Sequence, residues 1–251
     1  MSEAAIAERL IQMSREVPRV SEYYDEGTGN PEADAFVDNL NEFPHAFVIA
    51  CLMDRQGDWK RAWQVPYKIS QKLGEFSIIT LSRLSLEHIT ELMSQPEKLV
   101  FRFNVMSEVL YSAIQRINDE YGGDASRIWT GKPPSAEVVY RFLQFKGAGP
   151  KIATMATNIL ARNYKIEFSD YYSVDISVDV HVFRVFEHLG LCRHQASNDE
   201  VIYKARALYP EYPGILDLPC WTIGHNWCTE LNKKCGLCYM RHLCPSASSA
   251  N

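Results

Sequence analysis

Near its C-terminus the chain reads Cys228-Thr-Glu-Leu-Asn-Lys-Lys-Cys235-Gly-Leu-Cys238-Tyr-Met-Arg-His-Leu-Cys244-Pro245. Six, two and five residues separate the four cysteines. So short a loop buries little apolar surface of its own, so a metal centre or a pair of cross-links has to hold it. The spacing leaves three readings open. Structural zinc usually shows two Cys-x2-Cys knuckles, and here only Cys235 and Cys238 make one. An iron–sulfur cluster accepts more varied spacings and often has a proline after its last cysteine, the place of Pro245. Two disulfides are the third reading. The opening residues Met1-Ser-Glu-Ala-Ala-Ile-Ala-Glu-Arg9 are amphipathic and partly acidic, unlike a signal peptide, so an intracellular protein is expected. Clustered cysteines there bind metal more often than they oxidise. Cys51, Cys192 and Cys220 stand among apolar neighbours and read as small buried hydrophobes.

The 251 residues suffice for one large domain or two modest ones, and 46% hydrophobic content allows a sizeable core. No apolar run approaches the length of a membrane span. A net charge of −5 argues against nucleic acid in bulk, so such a partner would need a local basic patch.

The hydrophobic pattern is helical almost throughout. Apolar residues recur at helical spacing over 4–13, 36–43, 45–53, 86–93, 105–117, 138–145, 152–160, 182–189 and 201–208. Pro31, Pro44 and Pro150 suit first helical positions, and Ser135 and Ser197 suit N-caps. Pro66 should end or kink a helix. Residues 17–35 read as a connector. The stretch from Tyr164 to Asp179 alternates apolar and polar residues, as a short hairpin or an ordered loop would.

Two places carry chemistry. In Phe142-Leu-Gln-Phe-Lys146-Gly147-Ala-Gly149-Pro150-Lys151, two glycines permit a tight turn with positive φ just before a helix. Such a turn aims backbone N–H groups outward as an anion site, with Lys146 and Lys151 adding charge; an ordinary helix–turn–helix corner is the bland reading. Lys151 falls in the first helical turn, where the dipole disfavours a cation and so favours the neutral, nucleophilic amine. In Val178-Asp179-Val-His181-Val-Phe-Arg184, Asp179 precedes a helix start. It is a cap on the bland reading and, on the functional one, a rigid carboxylate able to stabilise a developing sugar cation. Asp175 is a second candidate, while His181 and Arg184 read as ties to neighbouring elements.

In this order, the Gly-Ala-Gly-Pro-Lys turn, the Val-Asp-Val-His-Val-Phe-Arg helix start and the Cys-x6-Cys-x2-Cys-x5-Cys loop resemble the helix-hairpin-helix (HhH-GPD) DNA glycosylases, in the iron–sulfur branch typified by endonuclease III. The resemblance covers roughly residues 40–245. It implies an all-α fold of two helical lobes with a DNA-binding cleft between them. The six-helix hairpin domain would span 39–164, and 1–38 with 165–251 would form the cluster domain, with the iron–sulfur loop at 228–244. It implies base excision by an N-glycosylase with an associated AP lyase step, on double-stranded DNA with a damaged or mismatched base. Lys151 matches the lysine that attacks the sugar, and Asp179 the catalytic aspartate. Gly147 and Gly149 match the hairpin glycines whose amides hold phosphate, with Lys146 beside them. Gln56 matches the glutamine that fills the gap left by the flipped nucleotide. Cys228, Cys235, Cys238 and Cys244 match the ligands of a [4Fe–4S] cluster, and Lys233 and Lys234 lie where the family contacts phosphate. A monomer is expected.

The chain also departs from the family. Pro150 and Lys146 replace other residues of endonuclease III. The stretch between Lys151 and Asp179 is longer than usual and carries Tyr171 and Tyr172. Adenine-mismatch relatives place a glutamate where this chain has Cys51, and they lack the lysine. The alternatives are a monofunctional mismatch or alkylated-base glycosylase, in which Lys151 only holds phosphate, and a non-catalytic iron–sulfur DNA-binding protein.

Overall fold

The computed structural model describes residues 2–16, 27–55 and 57–247. Part of the expected connector and the whole of Gln56 lie outside them. Among the described residues there are helices and connecting segments and no strand; the one β-bridge joins Cys228 to Lys233. The fold is all-α.

The chain divides into two compact units. One holds the described residues of 26–133 together with 137–156. The other holds those of 1–25 together with 134–136 and 157–247. Residues 27–38, assigned from the sequence to the cluster domain, thus group with the first of these units.

In that unit α2 (Pro31–Asp38) starts as expected, with Pro31 in its first turn and Asn30 accepting from Ala33 N at 3.2 Å. The helix expected over 36–43 does not continue past Asp38. The Asn39 side chain accepts the Glu42 N–H at 3.2 Å, and this local turn competes with helix. The break lets Phe36 stack on Phe43 at 4.5 Å and meet Phe76 edge-on at 5.3 Å. Helix α3 (Pro44–Met53) is buried along its whole length, which explains its apolar residues on every side. Around it pack α4 (Trp59–Trp63) and α5 (Val65–Leu73), with Pro66 in the first turn of α5 as its missing N–H requires. Next come α6 (Ile78–Ser82), α7 (Leu86–Ser94) and α8 (Phe103–Tyr121). The last of these ends on Gly122 in the left-handed conformation. Helix α9 (Ser135–Leu143) leads through the glycine turn into α10 (Pro150–Arg162).

The other unit contains α1 (Glu3–Glu16), the end of α10, α11 (Val180–His188), α12 (Asn198–Leu208) and α13 (Asp217–Asn226). Ser197 caps α12 in a full capping box with Glu200. Ser135 does not cap: its hydroxyl donates to Asp170 at 2.6 Å and accepts the Ser173 N–H at 3.1 Å. Helices α11 and α13 approach so closely that a Cβ on Gly224 would stand 2.7 Å from the Cβ of His181. Tyr164 to Asp179 forms an ordered loop. Arg206 grips Asp175 with two 2.7 Å bonds, and Gly214 donates to the Val174 carbonyl at 2.7 Å.

Candidate active site and cysteine cavity

Asp179 is the N-cap of α11. Its Oδ1 accepts the N–H groups of His181 at 2.9 Å and Val182 at 2.8 Å, satisfying two donors a helix leaves open. Oδ2 accepts no hydrogen bond from the described residues. Asp179 lines an open cavity of about 620 Å³, shared with Arg184, Glu187, His188, Glu230 and Lys233. The helix dipole and this cavity suit a fixed negative charge facing a cationic centre. Asp175, the alternative, is held in its ion pair with Arg206 and is structural. Arg184 donates to the carbonyls of Cys228 at 2.9 Å and Gly224 at 3.4 Å, and His181 packs edge-on to Trp221 and His225, so both tie α11 to its neighbours as expected.

Lys151 lies in the first turn of α10 and is exposed. It belongs to the other compact unit. Gly147 has φ +85°, and a Cβ there would stand 2.8 Å from Arg55 Nη1 and 3.1 Å from Val109 Cγ2, so the turn needs glycine. Gly149 differs from expectation: it does not have positive φ, and nothing lies within 4 Å of where its Cβ would be. Lys146 is exposed, but its Nζ is paired with Glu108 at 2.7 Å.

Gly57, next to Gln56, has φ +108°. The Cβ of Phe101 lies 4.0 Å from where a Gly57 Cβ would be, and Phe101 is 73% exposed. Reading the sequence missed this residue, because a phenylalanine after Leu99 and Val100 looks like core. Tyr171 packs between Phe168 and Tyr212, with ring centroids 5.8 and 5.1 Å away, whereas Tyr172 is exposed.

All seven cysteines are free thiols, so the disulfide reading has no support in the structure. Cys51 and Cys220 are fully buried and Cys192 is half-buried. Cys228, Cys235, Cys238 and Cys244 line one cavity with His188, Trp227 and Arg241. Burial pushes the Cys238 thiol up to about 11, and the charges of Cys228, Cys244 and Cys235 push the same way. The four thiols are therefore within electrostatic reach of one another. Among the described residues no three His, Cys, Asp or Glu side chains converge tightly enough to hold a single metal ion. Around the cavity, His188 Nδ1 stands 3.0 Å from Cys228 Sγ, and Cys244 Sγ donates to the His188 carbonyl at 3.3 Å. Lys233 Nζ stands 3.3 Å from His188 Nε2, and Lys234 is exposed.

These features sit on a fold shared with solved DNA glycosylases. In particular, the chain is similar to a trapped endonuclease III–DNA covalent intermediate, at 18% identity and a TM-score of 0.60 over 87% of this chain and 96% of the other. It is similar to a thermostable thymine-DNA glycosylase at 13% identity and a TM-score of 0.62, over 98% and 96%. It is also similar to the Clostridium acetobutylicum 8-oxoguanine glycosylase/lyase bound to duplex DNA, at 14% identity and a TM-score of 0.56, over 85% and 69%. No family model and no curated protein matches the sequence.

Proposed function

We propose that the protein is a base-excision DNA N-glycosylase with an associated lyase step. The observation that carries this is Asp179: a helix-capping carboxylate with one oxygen spare on an open cavity, within a fold shared with DNA glycosylases. A glycosylase takes its target base out of the stack. Gln56 enters the duplex in its place, and the exposed Phe101 beside Gly57 supplies an apolar wedge of the kind that unstacks a base step. Backbone amides at the Gly147 turn, with Lys233 and Lys234, hold phosphates. Lys151 donates its amine pair to C1′ as the bond to the base breaks, and the base leaves with a proton. Asp179 stabilises the cationic sugar. The C1′–O4′ bond then opens, the sugar oxygen taking a proton as the Lys151 nitrogen gives one up. The imine so formed lets C2′ lose a proton as the 3′ phosphate leaves by β-elimination.

Four thiols on one cavity that no carboxylate lines are a donor set that suits a [4Fe–4S] cluster. Cys228, Cys235, Cys238 and Cys244 would hold it. It would supply a structural cross-link to a loop with little core of its own, and the reaction at the sugar does not pass through it.

The test is a panel of duplexes, each with one lesion, scored separately for base release and for strand nicking. Release with nicking on at least one duplex is expected. Release without nicking would make the enzyme monofunctional and Lys151 a phosphate contact. No release from any duplex would overturn the proposal.

A further inference from the structure

The Asp217 carboxylate has no part in that reaction, yet it grips the segment that delivers Asp179. It stands at the start of α13, where Oδ1 accepts the Ser177 N–H at 3.2 Å and Oδ2 accepts Asn158 Nδ2 at 3.3 Å. Asn158, buried at the end of α10, also donates to the Gly214 carbonyl at 2.8 Å and accepts the Tyr212 hydroxyl at 2.5 Å. The Gly214 N–H in turn holds the Val174 carbonyl at 2.7 Å, and a Cβ on Gly214 would stand 2.8 Å from that oxygen. One network therefore clasps the run from Val174 to Ser177 at both ends. Asp179 lies two residues further on.

We propose that Asp217 is a positioning residue for Asp179: by holding the Ser177 amide it fixes the backbone from which the Asp179 carboxylate projects. The inference rests on reading Asp179 as the catalytic carboxylate.

A group that only satisfied a backbone amide would not need a charge here. Asp217 is half-buried, and burial is the largest influence on its carboxyl. Arg162 favours its ionised form and Asp179 opposes it, with Tyr212 and Cys220 alongside. Burial outweighs Arg162, and the carboxyl is pushed up to about 6. The unfolded value is about 3.9. The folded state thus holds the proton more tightly, and stability is lost as pH rises from about 4 through 6. At neutral pH the ionised group lowers stability, as a group kept for function does.

Asp217→Asn keeps the shape but removes the charge and one of the two acceptors, so its NH2 must face a donor at Ser177 N or at Asn158 Nδ2 and the clasp loses one grip. Three quantities would be measured: Tm at pH 5 and pH 8, duplex affinity, and single-turnover base release. The Tm difference between variant and wild type should shift in the variant's favour from pH 5 to pH 8, because only wild type goes on losing stability over that range. Affinity should stay within about twofold while release slows about ten- to a hundredfold. The double variant Asp179→Asn/Asp217→Asn should be no slower than Asp179→Asn alone. A merely structural Asp217 would act independently of Asp179, so the effects of the two variants would multiply; that result overturns the inference. If Asp217→Asn does not fold, Tyr212→Phe removes only the hydroxyl bracing Asn158. Slower release at unchanged affinity would then support the inference, and unchanged release would overturn it. If wild type releases no base from any duplex, the reading of Asp179 falls and takes this one with it. If wild type is active and Asp217→Asn equally so, only this one falls.

Discussion

Asp179 Oδ1 stands 2.8 Å from the backbone nitrogen of Val182, so one oxygen of this carboxylate is committed to capping α11. On the proposed function the cap and the catalytic carboxylate are one residue with two jobs, and a substitution can separate them. Asp179→Asn keeps an oxygen for the cap, and asparagine caps as well as aspartate. Fold and duplex affinity should be nearly unchanged, with Tm within a few degrees, while single-turnover excision falls at least a hundredfold for want of charge at the sugar. Near-normal excision would leave Asp179 as a cap alone.

Lys151 should form an imine with DNA. Borohydride added during turnover should trap a protein–DNA adduct, visible as a shifted band on a denaturing gel. Lys151→Gln keeps the length of the side chain and the first turn of α10, and should abolish the adduct and the nicking together. An adduct that survives in Lys151→Gln would assign the nucleophile elsewhere, with Lys146 the nearest rival in sequence.

Lys146 and Glu108 form a 2.7 Å ion pair between exposed side chains, so Lys146 is not a free phosphate ligand as it stands. Such a pair is weak. Glu108→Gln should release Lys146, tighten binding to all duplexes alike and steepen the fall of affinity with salt. Lys233→Ala with Lys234→Ala should act in the opposite sense, weakening binding uniformly and flattening the salt slope. A slope that neither change alters would remove these lysines from the interface.

The cysteine cavity should hold iron. Protein purified without oxygen should be brown and contain about four irons per chain, and chelation should destabilise the unit that carries α11 and α13. Stoichiometric zinc without iron would overturn this.

The helices with a clear 3.6-residue period, such as α1, α8 and α12, follow directly from the order of apolar residues, because one buried stripe suffices to define them. The capping box at Ser197 and the positive φ at Gly147 are local too, set by residues within a few positions. The four cysteines, Asp179 and Lys151 could be singled out from spacing for the same reason. Helix α13 could not, because it is buried without an apolar stripe and carries Pro219 inside it. Neither could the end of α2 at Asp38, where the Asn39 side chain won over an apolar period that ran on to Phe43.

What the chain order cannot express is contact between distant residues. Ser177 and Asp217 are 40 positions apart, Asn158 and Tyr212 54, and Lys146 and Glu108 38. Each pairing comes from packing of helices that share no local signal. The residue types alone said that this protein has a carboxylate at a helix start, a lysine after a glycine turn and a thiol-rich loop. Which cations are already neutralised, which oxygen of Asp179 is spare, and which buried carboxylate holds the strand of chain leading to it were decided by the tertiary structure. Hydrogen bonds and ion pairs depend on separation in space, and sequence spacing fixes that only within a turn or two of helix.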